Sequence, residues 1–148
     1  METNVVTKRA AQRNLTLIWA GFTLFLSVIF FVQTIISDKY PGQNDEVWDW
    51  FMPLVFPTLT LMIGVLVAVA QSPDAGQPGV DKFYYRLTLG AFLVYFLTLL
   101  AVILSAPFDF INNQTPALDH LKKATKLLSA LQAVVTLVLG IFFIKESR

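Results

Sequence analysis

The sequence contains no cysteine, a single histidine and few charged residues, and each shortage excludes a class of chemistry. Without cysteine there is no disulfide, thiolate nucleophile, Cys-ligated zinc or iron–sulfur cluster. One histidine, His120, cannot by itself form a usual zinc site or a bis-histidine haem, so we predict no metal or cofactor. Charged residues make up 14% of the 148-residue chain, against ~25% in soluble globular domains. Hydrophobic residues make up 55%, which indicates a membrane protein.

Four apolar stretches are long enough to cross a bilayer as helices, because ~20 apolar residues span its hydrocarbon core. They predict an all-α membrane protein with four transmembrane helices in an up-down bundle, forming one domain over residues 1–148. The spans are residues 14–36, 50–70, 87–106 and 125–144. The first is longer than the ~7–15 apolar residues of a signal peptide, so we expect it to be retained. Few residues remain for a soluble catalytic or nucleic-acid-binding domain.

Proline and glycine indicate where helices bend or end. Pro57 lies inside the second span and should bend that helix. Two prolines and two glycines within residues 71–82 predict a loop with little regular structure, and Pro107 is expected to end the third helix. Thr115 and Pro116 resemble a helix start. A fourth helix running from there to Lys145 would extend beyond the membrane.

Lysine and arginine are unequally divided between the two predicted sides of the membrane. An even number of spans puts both termini on one side, together with seven basic residues: Lys8, Arg9, Arg13, Lys82, Arg86, Lys145 and Arg148. The other side has four: Lys39, Lys122, Lys123 and Lys126. The positive-inside rule therefore predicts cytoplasmic termini in a cell (inner or plasma) membrane.

Aromatic residues near the predicted span ends are typical of anchors at the membrane–water interface. Trp19, Tyr84 and Tyr85 lie near one interface, and Trp48 and Trp50 lie near the other. These residues support the span boundaries without indicating which side is cytoplasmic.

The predicted spans have no ionisable residue near their midplanes, which disfavours a proton-coupled transporter. An acidic cluster, Asp45, Glu46 and Asp49, precedes the second span instead. Clustered carboxylates can bind cations or act as acid and base, but the spacing lacks the glycine pattern of an EF-hand. We interpret the cluster as a water-facing loop, with a vestibule for cations as the alternative.

Small and hydroxyl-bearing residues repeat at helical spacing on one face of each span. Such faces let transmembrane helices approach closely, so we predict small residues inside the bundle and bulky ones facing lipid. The predicted helix-packing residues are Ala20, Thr23, Ser27, Thr60, Gly64, Ala68, Gly90, Thr98, Ala101, Ser129, Gln132, Thr136 and Gly140. The same stripes could instead line a narrow polar channel between several copies.

These patterns favour a non-catalytic function. We predict a small multi-pass subunit or scaffold that acts through helix–helix contacts, as a homo-oligomer or within a membrane complex. Its surroundings would be the lipid bilayer, with no nucleic acid. An oligomeric ion channel or pore-forming effector is the alternative. A membrane-embedded lipid-modifying enzyme that acts at the acidic cluster is third. His120 could serve as a general base with Asp119 or Asp109, but we interpret it as a polar residue on the first turns of the fourth helix.

Overall fold

In a computed structural model, the chain forms four long helices and a short two-stranded sheet. The structure describes residues 5–37, 39–71, 79–112 and 117–143. The elements in chain order are β1 (Val5–Thr7), α1 (Lys8–Phe31), a π-helical turn (Val32–Ile36), α2 (Asn44–Ala70), β2 (Gly79–Asp81), α3 (Lys82–Asn112) and α4 (Ala117–Phe143). Four helices are long and apolar enough to cross a membrane. The all-α class is therefore confirmed.

The small sheet was not predicted from the sequence. β1 and β2 pair in antiparallel fashion, with Val6 opposite Val80, and β2 lies in the segment that is predicted to be an irregular loop. Each strand has three residues, too few to show an alternating pattern. The Asp81 carboxylate then accepts a hydrogen bond from the backbone N–H of Phe83, at 2.9 Å. The ladder therefore joins the beginning of α1 to the beginning of α3.

The third helix does not end at Pro107, contrary to our prediction. Its backbone remains helical to Asn112. A proline inside a helix removes one backbone hydrogen bond, and in membrane-type helices neighbouring groups can compensate for that loss. The predicted start of the fourth helix at Thr115 and Pro116 lies outside the described residues, and α4 is described from Ala117.

A tight loop connects the end of the π-helical turn to α2. The backbone N–H groups of Ser37 and Lys39 donate to the carbonyls of Val32 and Gln33, at 2.9 and 3.1 Å. Gly42 has a φ of 73°, a backbone conformation that glycine adopts with little strain. Two acidic residues, Asp45 and Glu46, lie in the first turn of α2, where the helix dipole stabilises negative charge.

The core of the molecule consists of large side chains rather than small ones. Trp19 of α1 stacks on Tyr95 of α3, with ring centroids 5.6 Å apart. At the other end of α1, Phe30 stacks on Phe51 of α2 at 4.7 Å. All four rings are fully buried. Aromatic side chains bury more apolar area per residue than small ones do, so they occupy the space between the helices.

Candidate functional site

Pro57 in α2 leaves a backbone carbonyl without its helical donor. Pro57 has no N–H, so the carbonyl of Pro53, four residues earlier, loses the hydrogen bond that α-helical geometry provides. The side chain of Gln132, on α4, donates from Nε2 to this carbonyl oxygen at 3.4 Å. An amide from a neighbouring helix thus takes the place of the missing donor.

The next two carbonyls of α2 also accept hydrogen bonds from other helices. The Tyr95 hydroxyl on α3 donates to the Leu54 carbonyl at 2.6 Å. The Trp19 indole N–H on α1 donates to the Val55 carbonyl at 3.3 Å. Both donors are fully buried.

We call the carbonyls of Pro53, Leu54 and Val55 the carbonyl triplet. Successive residues of an α-helix are rotated by ~100° about its axis, so three consecutive carbonyls point toward three different neighbours. Each member of the triplet accepts from a different helix. The triplet is therefore the place where α1, α3 and α4 are all bound to α2.

An open groove lies between α2 and α4, beyond the triplet. It has a volume of about 630 Å³, and its lining includes Pro57, Thr58 and Leu61 of α2. From α4, Ser129, Gln132 and Thr136 line it. The polar stripe predicted on the fourth helix therefore faces this groove at the surface of the molecule, not the bundle interior.

Most hydroxyls of the helices are bonded to their own backbone. Thr16, Thr34, Thr88 and Thr136 each donate to the carbonyl four residues earlier, at 2.9 Å. Thr98 does the same at 2.8 Å. Such bonds satisfy a hydroxyl without water. The molecule thus accommodates polar side chains in a way that suits an apolar solvent.

Polar side chains join three helices at one end of the bundle. The Trp50 indole N–H on α2 donates to the Thr125 hydroxyl on α4 at 3.0 Å. The Ser105 hydroxyl on α3 lies 3.0 Å from His120 Nε2 on α4. Sequence reasoning had not identified Thr125 or Ser105 as partners of these residues, since only folding brings them together.

The Ser105–His120 pair has the spacing of a nucleophile and its base. Ser105 also donates to the Val102 carbonyl in its own helix, at 3.1 Å. Which of the two groups donates depends on the His120 tautomer and on the rotation of the Ser105 hydroxyl. In either direction the bond links α3 and α4.

The acidic cluster lies at the beginning of α2. Asp45 and Glu46 line a shallow cleft together with Gly42, and Asp49 is exposed. Glu46 pairs with Lys122 of α4 at 3.6 Å, with both side chains more than half exposed, so the pair adds little stability. In the part of the chain that the structure describes, no three potential ligands are grouped to hold a metal ion. The cation vestibule stays a prediction.

One of the predicted interface anchors, Trp19, lies in the core of the molecule. Trp19 is fully buried and packs on Phe92 and Phe96, because its ring fills the core and its N–H reaches the triplet. Trp48 and Tyr85 are half-buried and Tyr84 is exposed, whereas Trp50 is largely buried. The anchoring role of these four residues stays a prediction.

The predicted packing residues are divided between buried and exposed positions. Thr23 is buried, and the half-buried members are Ala20, Ser27, Thr98, Gln132 and Gly140. Six members are exposed in the single chain: Thr60, Gly64, Gly90, Ala101, Ser129 and Thr136. The side chain of Ala68 lies outside the described residues. Exposed small residues do not hold this chain together. Their packing against a second molecule stays a prediction.

Tyr40 is a further buried group with a polar atom. It lies in the loop before α2, and its hydroxyl donates to Gln33 Oε1 at 3.5 Å. Burial raises the pKa of Tyr40 to about 12, because removing the ring from water disfavours its anionic form. Tyr40 therefore remains a hydrogen-bond donor, which holds the loop against the π-helical turn.

Comparison with known proteins gives no match: no family model, no curated protein and no solved structure is similar to the chain.

Proposed function

We propose that this chain is an integral membrane protein that crosses the bilayer four times and acts through helix–helix contacts. In this proposal it is a non-catalytic subunit or scaffold, it is oligomeric, and both termini lie in the cytoplasm. The supporting observation is the distribution of apolar and polar side chains over the four helices.

Large apolar side chains cover the outside of all four helices. Examples are Leu24 on α1, Ile63 on α2, Leu97 on α3 and Leu137 on α4, with exposed fractions of 68%, 48%, 55% and 73%. In water such a surface would cause aggregation. Lipid tails are as apolar as these side chains, so a bilayer is the solvent that fits them.

The contacts between elements support an up-down arrangement. The β-ladder joins the beginnings of α1 and α3. The Trp50–Thr125 and Ser105–His120 bonds bring the first parts of α2 and α4 together with the later part of α3. In our proposal these are opposite ends of the bundle, one at each membrane surface.

Alkaline extraction tests the membrane proposal. Membranes from cells that express the full chain are washed at pH 11, a treatment that releases peripheral proteins and leaves bilayer-spanning ones behind. We expect the protein to remain in the pellet and to enter the supernatant only with detergent. Release by the alkaline wash without detergent would refute membrane crossing.

A pore is the second candidate, and the observation that favours it is the position of the α4 stripe. Ser129, Gln132 and Thr136 face an open groove, so several copies could place them around a shared axis. A conducting pore requires that this groove stay open to water in the assembly. Conductance of protein-containing liposomes above that of protein-free liposomes would support the pore over the scaffold.

A further inference from the structure

The α2–α4 groove contains hydrogen-bonding groups that the chain itself does not satisfy. Thr58 is 4% exposed and lines the groove. Within the described part of the chain, its hydroxyl makes no hydrogen bond. The carbonyl to which it would ordinarily bond is that of Leu54, four residues earlier, and the Tyr95 hydroxyl already donates to this carbonyl. The Thr58 hydroxyl is thus left facing the groove.

α4 contributes two more groups of the same kind. Among the described residues, the Ser129 hydroxyl has no partner, and Gln132 uses its amide nitrogen on Pro53 while its amide oxygen accepts no bond. In hydrocarbon, a polar group without a hydrogen-bond partner destabilises the structure. These groups therefore favour an occupant that can bond to them.

One helical turn beyond the groove lining, small residues on the same faces of α2 and α4 allow another helix to come close. Gly64 on α2 and Gly140 on α4 have open space beside them, since an added Cβ at either would meet nothing within 4 Å. Gly64 follows Thr60 by four residues, and Gly140 follows Thr136 in the same way. Small residues at this spacing are the usual contact surface of transmembrane helices.

We propose that the occupant of the groove is the same groove face of a second copy, in a two-fold symmetric dimer. A two-fold interface must be complementary to itself. The hydroxyls of Thr58 and Ser129 and the amide of Gln132 can each donate and accept, so two copies can satisfy one another. No charged side chain lines the groove, and a lipid tail would leave its polar groups unpaired. This inference rests on the proposed membrane location and names the partner.

Disulfide cross-linking tests the dimer, and the absence of native cysteine makes the result specific. Ala133 is exposed and lines the groove, whereas Leu97 lies on the separate α1–α3 surface. In membranes treated with a mild oxidant, Ala133→Cys should give a cross-linked dimer and Leu97→Cys should remain monomeric. If both variants stay monomeric while the protein still resists alkaline extraction, the dimer is refuted and the membrane proposal stands.

A second experiment asks whether the Thr58 hydroxyl contributes to the dimer. Thr58→Val removes the hydroxyl with little change of shape, and Thr98→Val is the matched control because the Thr98 hydroxyl is already bonded within α3. We expect Thr58→Val to weaken dimerisation about threefold for each hydrogen bond lost, with no loss of thermal stability in the monomer. Equal dimer fractions for the two variants, or a monomer that purifies with bound lipid, would overturn the proposal.

Discussion

At the scale of single residues, hydroxyl groups show how the chain satisfies polar atoms without water. Thr16 and Thr23 lie on the same helix and both are buried. The Thr16 hydroxyl donates to the Gln12 carbonyl at 2.9 Å. Thr23 Oγ1 has no partner among the described residues. Two threonines of similar burial therefore differ in whether the hydroxyl is satisfied.

This difference predicts opposite effects of the same substitution. Thr23→Val replaces an unpaired buried hydroxyl by a methyl group of similar size, which should stabilise the fold by about 1 kcal/mol. Thr16→Val removes the existing hydrogen bond to the Gln12 carbonyl and should be neutral or destabilising. Thermal unfolding of both variants in detergent measures the difference. A lower melting temperature for Thr23→Val than for Thr16→Val would show that Thr23 has a partner in solution.

At the scale of helices, the carbonyl triplet links α2 to its three neighbours. Its first member depends on Pro57, because the missing N–H of that residue leaves the Pro53 carbonyl available to Gln132. The bond from Gln132 thus compensates for a defect in another helix. Interhelical hydrogen bonds of this kind contribute ~0.6 kcal/mol on average and up to ~1.7 kcal/mol in a membrane protein.

A double-mutant cycle tests this compensation. Pro57→Ala restores an N–H that can bond to the Pro53 carbonyl within α2. Gln132→Leu should then cost less stability in the Pro57→Ala background than in the natural chain, by about 0.6 kcal/mol or more. The free energies of unfolding of the natural chain, the two single variants and the double variant give the coupling energy. They are measured in detergent at protein concentrations low enough to keep all four proteins monomeric. An equal cost of Gln132→Leu in both backgrounds would refute the compensation.

The helices could be predicted from the sequence, but the contacts between them could not. Long apolar runs identify four helices because length and hydropathy are local properties. Within the single chain the buried space is filled by large side chains such as Trp19 and Phe51, whereas Gly64 of the small-residue stripe is exposed. The same stripe pattern describes contact within a chain and contact between chains, and only the fold separates the two.

The carbonyl triplet was also beyond sequence reasoning. The sequence contains the components, since Pro57 lacks an N–H and the side chains of Gln132 and Tyr95 can donate. Their pairing depends on the rotation and register of each helix, which apolar periodicity defines only loosely. The β-ladder was missed for a similar reason, because its two strands are far apart in the chain and very short.

At the scale of the whole molecule, the proposed membrane protein has two possible orientations in the bilayer. Thr7 in β1 and Ser37 before α2 are both exposed, and both accept cysteine with little change of size. The seven-to-four excess of basic residues on the side of the termini predicts that Thr7 is cytoplasmic. An impermeant thiol reagent applied to intact cells should therefore label Ser37→Cys and leave Thr7→Cys unlabelled until the cells are opened. Labelling of Thr7→Cys in intact cells would reverse the orientation.

The β-ladder also determines the order in which the molecule can be completed during synthesis. β1 cannot pair until β2 has been made, and Asp81 is the last residue of that strand. At ~5–20 residues per second, the ribosome needs about 4–15 s to extend the chain from one strand to the other. For those seconds α1 has no ladder at its beginning. In the proposed four-span arrangement, α1 therefore takes its direction across the bilayer before the ladder can form, and the ladder can only hold that direction afterwards.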